Sequence, residues 1–341
     1  MPAEWEPQEA VLLAWPHKNT DWNYMLEEVQ NCYVSLIKII SKYAKVVVLC
    51  PVDEQAPLLS EVLNERVIRV DAETNDTWIR DYGIITTLTD DGNKRILNDF
   101  GYNAWGGKFK YNLDNEVNRH LYNVKLLSGC FKQHKDFILE GGSIESDGQG
   151  TIMTTTSCLL TPTRNANMTR QQIESRLCDT LGASKILWLE HGEIIGDDTD
   201  GHIDTIARFA PGNTILFCGN SWLPADDIQA HALRDVKESL EKFTSVDGKP
   251  YNLIELPMPS AIYDSDDGHR LPATYANFLI LNNAVLLPVY GQPQNDHHAE
   301  LVLKVAFPNH DIVPVDCRAL IRQHGSLHCA TMQIPNGIIP F

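Results

Sequence analysis

Runs of apolar residues, separated by polar turns, set the rhythm of this chain. The run from Glu9 to Trp15 ends at Pro16 and predicts a short strand. Met25, Val29, Tyr33, Leu36 and Ile40 repeat at helical spacing behind the helix-start residues Asn19-Thr20-Asp21. Lys45 to Cys50 (KVVVLC) predicts a buried strand, Pro57 to Leu63 a short helix and Val67 to Val70 another strand. Ile84–Thr89 and Arg95–Phe100, on either side of Asp90-Asp91-Gly92-Asn93, have the turn chemistry of a β-hairpin. Asn115 to Leu121 predicts a helix.

That pattern then recurs. Hairpins are predicted with turns at Asp147-Gly148-Gln149-Gly150, Pro211-Gly212-Asn213 and Asn282-Asn283. Their second strands are Thr151–Thr155, Thr214–Cys218 and Val285–Tyr290. Thr169-x-x-Gln172 is a capping box for a helix ending at Leu181 before Gly182. Helices are also predicted over Asp226–Phe243 and His298–Ala306, with strands at Lys185–Leu189, Leu253–Leu256 and Ile312–Val315. Gly325 to Pro335 starts a fifth unit. The residues at the hairpin starts are Asp81, Glu140, His202, Asn277 and Cys329, spaced 52 to 75 residues apart. No sequence identity accompanies the period, so the repeat is structural. Radial packing of such units would bring their starts to one axis. No linker or composition shift divides the chain, and a single domain over residues 1–341 is expected.

Composition narrows the function. Apolar residues make up 43% and charged residues 21%, as in ordinary globular proteins. Forty-five acids against 28 bases give a net charge of −17. Such a chain repels nucleic acid and anionic membranes and attracts cations. The eight cysteines form no C-x-x-C pair, and no apolar stretch is long enough to span a bilayer. These features predict a cytoplasmic protein.

The hairpin-start residues would gather a Cys, a His and several carboxylates. That set suits nucleophilic catalysis by a thiolate, with imidazole moving protons. Carboxylates beside a thiolate disfavour its charged form unless a cation neutralises them. A guanidinium fits, because its planar fork pairs with carboxylates through bidentate hydrogen bonds. Taken alone, Cys329 reads as a buried apolar thiol, and Trp78 and Trp105 as core aromatics.

Several blocks carry a resemblance: Pro2-Ala3-Glu4-Trp5, Leu13-Ala14-Trp15-Pro16, Asn75-Asp76-Thr77-Trp78-Ile79-Arg80-Asp81, Asn103-Ala104-Trp105-Gly106-Gly107, Leu139-Glu140-Gly141-Gly142-Ser143, Gly201-His202-Ile203-Asp204 and His328-Cys329. Together, and in this order, they resemble the agmatine deiminases of the guanidino-group-modifying superfamily, relatives of bacterial peptidylarginine deiminases. The resemblance implies an α/β fold, a five-bladed pseudo-symmetric, pentein-like α/β propeller, working without a metal or cofactor. It implies Cys329 as nucleophile and His202 as acid/base, with Asp81 and Asp204 gripping the guanidinium. Glu140, Asp198, Trp78, Trp105 and Asn277 would complete the substrate pocket. Arg80 reads as structural. The implied reaction converts agmatine and water to N-carbamoylputrescine and ammonia through a thiouronium on Cys329, the cation lowering the thiol pKa on binding.

Two departures bear on substrate identity. The final motif has less glycine before His328-Cys329 than is usual, and Thr205 follows Asp204 where Asn is frequent. Free or peptidyl arginine remains an alternative substrate, as does a non-catalytic role in polyamine binding. A metal-dependent hydrolase is a further alternative, because one strand would put His202 and Asp204 on the same face. A homo-oligomer and an ion at the acidic loop Asp264–Gly268 are left open.

Overall fold

The structure is a computed structural model that describes residues 1–89 and 94–340. The predicted turn Asp90-Asp91-Gly92-Asn93 lies outside the described residues. The fold is mixed α/β. Among the described residues, the strands form five small sheets built on one plan.

The first sheet contains β1 (Gln8–Ala14), β2 (Lys45–Cys50) and β3 (Val67–Asp71). The next contains β4 (Ile85–Leu88), β5 (Arg95–Gly101) and β6 (Cys130–Ile138). Then come β7 (Ile144–Ser146), β8 (Thr151–Thr155) and β9 (Lys185–Leu189), followed by β10 (Ala207–Ala210), β11 (Thr214–Cys218) and β12 (Asn252–Leu256). The last sheet contains β13 (Leu279–Ile280), β14 (Ala284–Val289) and β15 (Asp311–Asp316). A final strand, β16 (Met332–Pro335), returns to β1. In every sheet an antiparallel pair is followed by a parallel one: β16–β1–β2, β4–β5–β6, β7–β8–β9, β10–β11–β12 and β13–β14–β15. Short hairpin turns make the antiparallel pairs β7–β8, β10–β11 and β13–β14. A longer crossover is required for each parallel pair.

The chain divides into two compact units. The terminal unit comprises Glu6–Gly141 and His328–Phe341, and the central unit Met1–Trp5 and Gly142–Leu327. The β16–β1 pairing ties both ends of the terminal unit together. Its helix Leu26–Ile40 buries Val29, Tyr33, Leu36, Ile37 and Ile40, the stripe that its period predicts. In the central unit, helix Arg170–Leu181 carries the complete Thr169/Gln172 capping box and stops at Gly182, whose left-handed φ of 70° suits glycine. The first residue anchors there too: the Met1 ammonium donates to the Leu181 carbonyl at 2.7 Å.

Three expectations need correction. The hairpin-start residues precede their strands instead of opening them. Asp81 lies in a helical turn, Ile79–Tyr82, ahead of β4, and His202 precedes a 3-10 turn, Ile203–Thr205, ahead of β10. His202 and Asp204 therefore do not share one face of a strand. The helix expected over Asp226–Phe243 is two short ones, Ile228–Ala232 and Val236–Leu240. Leu233 and Asp235 between them take ψ near 0°, and the break leaves both Leu233 and Val236 in the core. Finally, β6 was not expected, because its sequence CFKQHKDFI is polar on both faces. It is an edge strand with most side chains reaching solvent.

Candidate functional site

In the terminal unit, five of the expected site residues sit on neighbouring turns. Asp81 is 3% exposed. Its Oδ2 accepts a hydrogen bond from the Trp105 indole Nε1 at 2.9 Å. Trp105 reaches it from an unusual turn. Ala104 (φ 50°) and Trp105 (φ 54°) are both left-handed, and Gly106 and Gly107 follow at 95° and 84°. Side chains with a Cβ resist this conformation, so surrounding bonds must hold it. Asn103 does so: its Oδ1 accepts from Gly106 N at 2.9 Å, and its carbonyl from Gly107 N at 2.6 Å. Tyr102 packs edge-on against the indole at 5.6 Å. Trp105 is thus a hydrogen-bond donor to Asp81 as well as an aromatic face.

Trp78 packs against Trp22, ring centroids 5.7 Å apart. Trp22 Nε1 in turn donates to Thr77 Oγ1 at 2.8 Å. The same stretch engages two buried carboxyls, Asp76 and Asp114. Asp76 accepts from Thr77 N at 2.7 Å, and burial pushes its carboxyl up to about 7. Asp114 Oδ1 accepts from Asn75 N at 2.7 Å, and burial raises its carboxyl well above the usual range. Glu140 is fully buried, and Cys329 is 5% exposed in the turn before β16. The Cys329 carbonyl accepts from Arg80 N at 3.3 Å.

The central unit groups His202, Asp204 and Asn277, all fully buried, and Asp198, half-buried. The loop ahead of His202 is organised by Asp197, the neighbour of the expected Asp198. Asp197 accepts from Gly201 N at 2.9 Å and from Thr199 Oγ1 at 2.7 Å. Thr199 Oγ1 then accepts from His202 N at 3.0 Å. Burial raises the Asp197 carboxyl, and the nearby His202 partly offsets this. Thr205 Oγ1 donates to the His202 carbonyl at 2.8 Å, so the residue that departs from the expected motif fixes this turn. Asn277 Nδ2 donates to the Asp204 carbonyl at 3.4 Å.

A fully buried Arg208 supports this group. It pairs with Glu145 and, at 2.9 Å, with Glu4. Its Nη1 also donates to the carbonyls on either side of Asn277, those of Ala276 (3.1 Å) and Phe278 (2.5 Å). Sequence reasoning missed Arg208 and Asp197. The only signal was an arginine inside the apolar β10, a residue that rarely enters a core unpaired. The acidic turn Asp264–Gly268 is engaged by Arg322, whose guanidinium donates to Asp264 (2.9 Å) and Asp266 (2.6 Å). A side-chain cation already sits on these carboxylates and holds Asp264 below the usual carboxyl range.

The terminal unit offers a thiol and an oriented carboxylate, and the central unit an imidazole and a carboxylate, residue types that serve nucleophilic and acid–base chemistry. No helix of the described residues is long and apolar enough to cross a membrane.

Known proteins match the chain over nearly all its length. It is 32% identical over 359 residues to an agmatine deiminase of Stutzerimonas stutzeri, covering 98% of this chain and 95% of that protein. A solved structure of a C. Jejuni agmatine deiminase with substrate bound is 40% identical with a TM-score of 0.90, covering 99% of this chain and 96% of that one. DDAH from Pseudomonas aeruginosa, at 12% identity and a TM-score of 0.54, covers 96% of this chain and 100% of that one and shares the fold. The family model described as Porphyromonas-type peptidyl-arginine deiminase matches residues 1–335, and the chain belongs to that family.

Proposed function

We propose that this protein is an amidine hydrolase that deiminates agmatine, releasing ammonia and N-carbamoylputrescine. The observation that carries the reading is near-full-length similarity to agmatine deiminases, one of them solved with substrate bound. Buried carboxylates and a net charge of −17 favour a cationic substrate.

In the proposed mechanism Asp81 and Asp204 hold the guanidinium nitrogens, with Glu140, Asp198, Asn277, Trp78 and Trp105 completing the pocket. The Cys329 thiolate attacks the central guanidinium carbon. As the carbon–nitrogen bond breaks, the His202 imidazolium gives its proton to the departing nitrogen, and ammonia leaves. The remaining thiouronium is attacked by water, from which His202 takes a proton. The carbon–sulfur bond then breaks, returning the thiolate; the second water proton passes to solvent, where it converts the released ammonia to ammonium, and a neutral ureido product remains. The same proposal treats the chain as one catalytic domain in the cytoplasm.

The test is a panel of agmatine, arginine and a C-terminal-arginine peptide, scored for ammonia and ureido product with wild type and Cys329→Ala. Turnover of agmatine by wild type alone is expected. Equal release by both proteins overturns the role of Cys329, and preferential turnover of arginine or the peptide overturns the substrate. Full activity after chelation is expected, and its loss would favour the metal-dependent alternative.

A further inference from the structure

Arg80 has no part in the proposed chemistry, yet three site-bearing turns meet at it. It is 3% exposed, a costly place for a cation unless its donors are engaged. It directly precedes Asp81 in the helical turn Ile79–Tyr82. Its backbone N–H donates to the Cys329 carbonyl at 3.3 Å, and its side-chain Nε to the His328 carbonyl, also at 3.3 Å. Nη1 donates to Gln333 Oε1 in β16. Arg80 therefore holds the Cys329 turn by its main chain, by its guanidinium and by the strand that follows.

The turn carrying Glu140 closes against the same residue. A Cβ built on Gly141 would lie 2.1 Å from the Arg80 carbonyl oxygen and 3.4 Å from its Cδ. Only glycine permits that approach, which accounts for a glycine directly after Glu140. Within the Cys329 turn, the His328 carbonyl also accepts from Thr331 N (3.1 Å) and Thr331 Oγ1 (3.0 Å). The oxygen that Arg80 holds is therefore the one around which the nucleophile's turn closes.

From this junction we infer that Arg80 is a positioning residue that sets the register of Cys329 against Asp81 and Glu140. The inference rests on the deiminase reading for its catalytic consequence and on local geometry for the rest. Lysine at this position keeps a cation on a long stem but loses the planar fork that spans His328 and Gln333.

Arg80→Lys tests it by two readouts. The first is ammonia release from agmatine, normalised to the folded fraction read from circular dichroism and cooperative unfolding, so that misfolded molecules do not count. The expected result is a kcat lowered about 100-fold, the scale of a roughly 1 Å misplacement, with KM within about threefold of wild type. The second is amide hydrogen exchange across residues 326–333, which needs no turnover. Exchange about tenfold faster there, without a matching change in helix 170–181, is expected. Unchanged exchange in that segment overturns the inference whatever the activity. Faster exchange with an unchanged normalised kcat overturns it as well. If wild type itself releases no ammonia from agmatine, the functional reading fails and the exchange measurement still decides whether Arg80 holds this turn. Should Arg80→Lys not fold, Gln333→Leu is scored by the same criteria, with a kcat loss of about tenfold expected.

Discussion

Two of the buried arginines, Arg80 in the terminal unit and Arg208 in the central unit, each donate to backbone carbonyls beside a site residue. Arg80 binds the carbonyl next to Cys329, and Arg208 binds the two carbonyls flanking Asn277. Arg80 also meets the amide of Gln333; Arg208 also meets the carboxylates of Glu4 and Glu145 and lies over the Phe278 ring at 4.6 Å. A buried ion cluster makes its members depend on one another, since losing the cation leaves two acids desolvated. The hold of Arg80 on the Cys329 turn runs through the planar fork that spans the His328 carbonyl and the Gln333 amide, so it depends on geometry. On the proposal above, loss of Arg208 acts first on the fold and loss of the Arg80 fork first on the chemistry.

Substituting each arginine should break the comparison in opposite ways. Arg208→Leu is expected to lose about 3–5 kcal/mol in denaturant unfolding, because Glu4 and Glu145 lose their partner. Its kcat per folded molecule should fall much less than that of Arg80→Lys. The reverse order, with Arg80→Lys the less stable and Arg208→Leu the less active, would defeat the distinction. Glu4→Gln keeps the hydrogen bond to Arg208 in neutral form and should cost less, about 1–3 kcal/mol.

A pH experiment addresses the buried carboxyls near Asp81. Asp76 has a carboxyl pushed up to about 7 by burial, and that of Asp114 is also raised. Between the ordinary carboxyl range near 3.8 and about 7, the folded state holds more protons than the unfolded state. Stability should therefore be greatest at the acid end of that window and fall as pH rises through it, by up to about 1.4 kcal/mol per unit for one group. Asp76→Asn should flatten this slope in denaturant midpoints measured from pH 4 to 7. The smallest effect belongs to Thr169→Ala, which removes a helix cap remote in sequence from the site residues. A loss of about 1 kcal/mol with kcat unchanged is expected.

Much of the fold was legible because local chemistry and tertiary packing agree. The capping box at Thr169, the Gly182 stop and the buried runs of β2, β8, β9 and β11 lie where the pattern predicts. The polar edge strand β6 left no such signal, because neither of its faces is fully covered. The break between Ile228–Ala232 and Val236–Leu240 was hidden for another reason: the apolar spacing of its segments continues through the turn. The reactive residue types at the starts of the repeats were visible, but their local backbone was not. A 3-10 turn at Ile203–Thr205 and a left-handed pair at Ala104-Trp105 depend on side-chain caps from Thr199, Thr205 and Asn103. Arg80 could be read as structural from sequence. What it holds depends on Cys329 and Gln333, about 250 positions away.

The central claim is that Cys329 forms a covalent bond to the guanidinium carbon of agmatine. Rapid acid quench during turnover, followed by digestion and mass spectrometry of the peptide containing Cys329, tests it most directly. The account predicts a transient adduct on Cys329 equal in mass to agmatine less ammonia, absent from Cys329→Ala. Steady turnover of agmatine by Cys329→Ala, or an adduct found on another residue, would contradict it.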